Sequence, residues 1–97
     1  MSDLTLHLKA VYFDQIKNGT KPFEYRLITP YWKKRLIGRH YNNVVFCRGY
    51  PKRGDIASRI VEPYRGYDVQ TLTHPHFGNK PVTVFAIRTM TVQEKAA

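Results

Sequence analysis

The apolar residues of this chain come in short runs of period two. Leu4, Leu6 and Leu8 alternate with Thr5, His7 and Lys9. Phe23, Tyr25 and Leu27 alternate with Glu24 and Arg26, and Val44 shares a face with Phe46. Val82, Val84 and Ala86 stand opposite Thr83, Phe85 and Ile87. Period two is the pattern of a strand with two distinct faces. No run approaches the ~20 apolar residues of a membrane-spanning helix, so no membrane partner is expected.

The elements between these runs are short as well. Tyr12 to Asn18 reads as an amphipathic helix stopped by Gly19. Pro22 marks the first residue or the edge of the strand that follows, because it has no N–H for a ladder. Thr29 and Pro30 form a helix entry, with Thr29 as N-cap, and the helix runs to Ile37 before Gly38. Asn43 to Cys47 reads as a strand, and Gly49 to Gly54 as a glycine-bounded loop. Asp55 to Val61 is expected to be another strand, and residues 62–81 to be mostly connections. Pro81 to Thr89 is apolar on both faces, which predicts a central strand. Residues 93–97 are expected to fray.

Ordering a chain costs roughly 1.5 kcal/mol per residue, so nearly all of a chain of 97 residues must contribute to one core. Residues 1–97 are therefore read as a single domain. The predicted fold is α+β: a closed or nearly closed barrel of about five short strands with one or two short helices.

Charge narrows the function. The chain carries 16 basic and seven acidic residues, and the excess is concentrated. Ten basic residues and two acidic ones, Glu24 and Asp55, lie between Lys21 and Arg59. Like charges at this density repel, and a polyanion relieves the repulsion with a gain from counterion release. RNA or a nucleotide is thus the expected partner, with an acidic protein as the alternative. The lone Cys47 excludes an intrachain disulfide and reads as a buried thiol, which fits a reducing compartment such as the cytoplasm. The first residues lack the basic and apolar regions of a secretion signal, so none is expected. The sequence leaves the oligomeric state open.

The densest chemistry lies in Gly19-Thr-Lys21-Pro-Phe-Glu24-Tyr-Arg26. Lys21, Glu24 and Arg26 are placed to converge at a strand entrance. Lys21 would bind a phosphate or, if desolvated, act as base or nucleophile. Glu24 would orient Lys21, accept from a base edge or shuttle a proton. Arg26 would grip a phosphate or fix Glu24. A salt-bridge network without a ligand is the structural alternative.

The pattern Gly19-x-Lys21-x-x-Glu24-x-Arg26 resembles the ASCH domain, a family of PUA-like β-barrels. Leu6-His7-Leu8-Lys9, Tyr12-Phe13-Asp14-x-Ile16 and Gly54-Asp55 extend the resemblance over residues 4–60. It implies RNA binding in a cleft lined by the motif. Some ASCH proteins are amidohydrolases that remove acetyl from N4-acetylcytidine, and others are reported to be ribonucleases. In the amidohydrolases the motif lysine, here Lys21, is the proposed catalytic group. They carry threonine where Glu24 stands, together with a distal carboxylate for which Glu62 and Asp68 are the nearest candidates. The resemblance makes Lys21, Glu24 and Arg26 the candidate catalytic residues.

Two further groupings complete the reading. His74 and His76 flank Pro75 and read first as polar histidines of a surface loop; a weak zinc pattern without cysteine, and an acid and base for RNA cleavage, are the alternatives. No Walker, zinc-finger or helix-turn-helix pattern is present, and neither a metal nor a cofactor is expected. Tyr31, Trp32, Tyr41, Tyr50, Tyr64 and Tyr67 are interleaved with basic residues, as in single-stranded nucleic acid sites. Trp32 is the ring expected in the core. Tyr50 and Arg53, on the glycine-bounded loop, are expected to join the cleft. The candidate RNA contacts are Lys9, Lys21, Arg26, Tyr50, Lys52 and Arg53. The expected function is RNA or modified-nucleoside binding. Hydrolysis in the same cleft and a protein-interaction module are the alternatives.

Overall fold

A computed structural model describes residues 2–89 of the chain. The strands are β1 (Leu4–Leu8), β2 (Phe23–Leu27), β3 (Asn43–Arg48), β4 (Arg59–Pro63), β5 (Tyr67–Leu72) and β6 (Val82–Arg88). Helix α1 (Ala10–Lys17) joins β1 to β2, and α2 (Pro30–Leu36) joins β2 to β3. The strands form two three-stranded sheets, in the orders β1-β3-β4 and β2-β6-β5. In the first, β1 pairs parallel to β3 and β3 antiparallel to β4. The second is antiparallel throughout. The protein is a small α+β domain, with six strands in two sheets where about five were expected in one barrel.

One core fills the space that both sheets and both helices enclose. Leu4, Leu6 and Leu8 on one face of β1 meet Phe13 and Ile16 of α1, Leu36 of α2, Val44 and Phe46 of β3, and Phe85 and Ile87 of β6. Burying a side chain of this size contributes about 1.5–3 kcal/mol. The period-two reading of β1 holds in full, because Thr5 and His7 face outward. Strand β6 is central and buried on both faces, as its apolar run predicts. Cys47 is buried.

Helix α2 begins as the sequence predicts. The Thr29 hydroxyl accepts from the Trp32 N–H at 3.3 Å, and Pro30 opens the first turn. Thr29→Ala is expected to cost about 1 kcal/mol in urea denaturation, the usual worth of such a cap. An unchanged midpoint would show that the cap is dispensable.

Three expectations differ from the structure. Strand β5 lies inside the segment read as connections. Its exposed residues include Val69 and Thr71, while Asp68, Gln70 and Leu72 are half-buried, so hydropathy gives no outward-polar alternation. The strand expected from Asp55 begins only at Arg59, after a 3-10 turn over Ile56–Ser58. The Arg59 guanidinium donates to the carbonyls of Pro51, Lys52 and Asp55, and those bonds hold the chain in a loop. In β2 the expected alternation does not appear: Glu24 is buried, Phe23, Tyr25 and Arg26 are half-buried, and Leu27 is exposed. Residues 93–97, expected to fray, lie outside the described residues.

Candidate functional site: an aromatic-walled cleft over a buried ion cluster

The turn after α1 delivers Lys21. Gly19 takes φ +81°, a left-handed conformation that a side chain disfavours. The Thr20 hydroxyl then bonds the Asn18 side chain at 2.6 Å, and the Thr20 N–H bonds the Gln15 carbonyl at 2.9 Å. Beyond the turn, the hydroxyl of buried Thr89 donates to the Lys21 carbonyl, and the Thr89 N–H donates to the Pro22 carbonyl at 3.0 Å. The Lys21 backbone is therefore held from both sides before β2 starts.

Lys21, Glu24 and Arg26 do converge. Lys21 and Glu24 are only 8% and 6% exposed. Lys21 Nζ lies 3.8 Å from Glu24 Oε1, and Arg26 Nη2 lies 2.9 Å from Glu24 Oε2. The same Nη2 donates to the His7 carbonyl at 3.1 Å, which ties β2 in one sheet to β1 in the other. Arg26 Nε is buried and has no hydrogen-bond partner among the described residues.

Aromatic rings surround the cations. The Lys21 ammonium lies 4.6 Å from the Tyr25 ring centroid and 5.0 Å from that of Tyr12. The Arg26 guanidinium lies 5.0 Å from the Trp32 ring, inside the range of cation–π attraction. His74 approaches the rings of Tyr12 and Tyr25 edge-on at 5.8 and 5.7 Å. These groups line an open cleft of about 380 Å³, together with His7, Lys9, Thr29 and Phe77.

Burial governs the protonation of the cluster. It pushes the Lys21 ammonium below the ordinary lysine value; Glu24 draws it back up and Arg26 presses it further down. Burial also raises Glu24 above the ordinary carboxylate value, against the pull of Arg26 and then of Lys21. The two proton affinities are thereby brought closer together. The cleft floor thus offers donors from Lys21 and Arg26, an acceptor at Glu24, and flat apolar walls. Such a surface can hold a planar heterocycle with donors and acceptors on its edge.

Of the six expected RNA contacts, Lys9, Lys21 and Arg26 line the cleft, whereas Tyr50, Lys52 and Arg53 do not. Tyr50 is 85% exposed and stacks on the His7 ring at 4.3 Å, so it reaches the rim through His7. Arg53 lines a separate shallow surface with Pro51 and Arg59, because the Arg59 bonds hold the loop there. Trp32, expected in the core, is half-buried and forms a wall of the cleft. Glu62 and Asp68 are paired with Arg65 and Arg88 and do not line the cleft. His74 lines it, while His76 lies outside the described side chains.

Sequence reasoning missed His7, Tyr12, Tyr25 and Phe77 as cleft residues. The period-two pattern puts Tyr25 on the face opposite Glu24. Yet Glu24, Tyr25, Arg26 and Leu27 all line the cleft, because β2 is an edge strand and residues of both faces reach its open side. In comparisons with family models, curated proteins and solved structures, the chain matches none.

Proposed function

We propose that the protein is an RNA- or modified-nucleoside-binding domain of the ASCH, PUA-like kind, which seats a base in the cleft. The observation that carries this reading is the meeting of Lys21, Glu24 and Arg26 on the floor of one cleft walled by Tyr12, Tyr25 and Trp32. On this reading the rings stack on the base, Lys21 and Glu24 read its edge, and the basic surface around the cleft meets the phosphates. The two sheets would then correspond to the two halves of a PUA-like barrel.

The state of Lys21 gives the test. Its amine carries a positive charge, and makes charge-assisted hydrogen bonds, only while protonated, and burial lowers its pKa. Affinity for nucleosides and short RNAs is therefore expected to fall with rising pH, starting below the pH at which exposed lysines titrate. Calorimetric titration across the alkaline range checks this. An affinity that stays flat until ordinary lysines lose their protons would contradict the assigned role of Lys21.

The closeness of Lys21 and Glu24 favours a second reading, hydrolysis of an acylated base such as N4-acetylcytidine. Water would add to the acyl carbonyl after giving a proton to Glu24, and Arg26 would stabilise the developing oxyanion. The C–N bond would then break, with Lys21 protonating the departing amine and acetate released. A product screen with acetylated nucleosides decides the point. Free cytidine and acetate formed by the wild type and lost in Lys21→Ala would support hydrolysis; their absence from the wild type would leave binding alone.

A further inference from the structure

We propose that a groove formed by α2 and the segment after it is a second site, which binds the phosphodiester backbone of a single-stranded RNA whose base occupies the cleft. The proposal rests on the RNA reading of that cleft. The groove has a volume of about 400 Å³ and is lined by Tyr31, Lys34, Arg35, Arg39 and Tyr41. No acidic residue occurs in the sequence between Glu24 and Asp55.

The cations of the groove differ from most of the arginines elsewhere, Arg53 and Arg59 excepted. Arg26, Arg48, Arg65 and Arg88 each face a carboxylate. Among the described residues no carboxylate pairs with Lys34, Arg35 or Arg39. The Arg35 and Arg39 side chains are nevertheless held in place by other contacts. Arg39 Nε donates to the Lys34 carbonyl at 3.1 Å. The Arg35 guanidinium lies 4.6 Å from the Tyr31 ring, and the Tyr41 hydroxyl donates to the Arg35 carbonyl at 2.5 Å. A helix C-terminus favours cations in its last turn, which accounts for Lys34 and Arg35. It does not account for Arg39, which lies beyond the helix, or for the exposed Tyr31 ring beside Arg35. Oriented guanidinium groups without a carboxylate are placed to receive phosphate oxygens.

Helix α2 also links the two sites. Trp32 forms a wall of the cleft, and the ring of its neighbour Tyr31 meets it edge-on at 5.0 Å. A strand with one base in the cleft can therefore continue over Tyr31 into the groove. The pairing of an exposed ring with fixed cations suits a nucleotide better than an acidic peptide, which offers charge without a stacking face.

The test compares cytidine with an oligocytidine of about eight nucleotides, within the site sizes typical of single-strand binders. The variant Lys34→Gln/Arg35→Gln/Arg39→Gln alters exposed side chains only, so its melting curve is expected to stay close to that of the wild type. It is expected to bind cytidine unchanged and oligocytidine roughly tenfold more weakly, with a log–log salt slope shallower by about 2. Arg35→Lys/Arg39→Lys, which keeps the charges, should keep most of the slope. Unchanged oligocytidine affinity and slope in the triple variant would overturn the groove. So would polyglutamate that binds the wild type as tightly as oligocytidine and is lost to the same degree. Lys21→Ala separates the two sites. Oligocytidine binding that falls with Lys21→Ala and not with the triple variant keeps the cleft and removes the groove. The converse keeps the groove and removes the cleft, and a wild type that binds no oligocytidine removes both.

Discussion

Lys21→Ala is expected to weaken the binding of nucleosides and short RNAs by roughly ten- to a hundredfold while moving the melting temperature little. A hydrogen bond from a charged donor contributes about 1.5–3 kcal/mol, and each 1.4 kcal/mol is about tenfold in affinity. The modest effect on stability follows from burial. The surroundings of Lys21 disfavour its charge, as the downward shift of its pKa records. Removing the ammonium relieves that desolvation and offsets the loss of its contact with Glu24, which Arg26 still holds at 2.9 Å. Part of any destabilisation will come from the methylene stem packed beside Tyr12 and Tyr25. Lys21→Met keeps the stem and should restore the melting temperature without restoring affinity. A large fall in melting temperature with binding intact would make Lys21 a structural residue.

Arg26→Met is expected to have the opposite profile, with a large loss of stability. Removing one partner of a buried ion pair costs about 3–5 kcal/mol, because the other charge is left without compensation. Here the abandoned group is Glu24, at 6% exposure, with only the longer contact to Lys21 remaining. The bond from Arg26 to the His7 carbonyl is lost as well, and with it a tie between the two sheets. Urea denaturation of Arg26→Met, Glu24→Gln and the double variant measures the coupling. The double variant should recover a substantial part of the Arg26→Met loss, since it no longer buries an unpaired carboxylate. Additive losses would mean that Glu24 and Arg26 do not stabilise each other.

Much of the fold can be read from local patterns because local chemistry decides it. The Thr29-Pro30 cap, the turn at Gly19, the alternation in β1 and the two-faced apolarity of β6 each have an explanation within a few residues. Strand β5 was hidden because its exposed face carries Val69 while Asp68 and Gln70 are half-buried, a consequence of pairing with β6 rather than of hydropathy. The cation–carboxylate cluster was legible because Lys21, Glu24 and Arg26 are near in sequence. Its walls were not, since Tyr12, Trp32 and the turn that carries His74 and Phe77 come from three separate places in the chain and meet only when the two sheets close on the core. Tyr50 and Arg53 were misplaced because the carbonyl bonds of Arg59 set the course of their loop, and no spacing rule encodes them.

Trp32, the single tryptophan of the chain, reports directly on the central claim, because its ring is a wall of the cleft. Titration of the wild type with short RNA, followed by tryptophan emission, should give a saturable change whose midpoint matches that of an independent binding measurement. In Lys21→Ala the midpoint should move to roughly tenfold higher concentration or beyond, consistent with losing one charged donor. RNA that binds by the independent measurement while Trp32 emission stays constant, or a midpoint identical in Lys21→Ala, would contradict a base seated in this cleft.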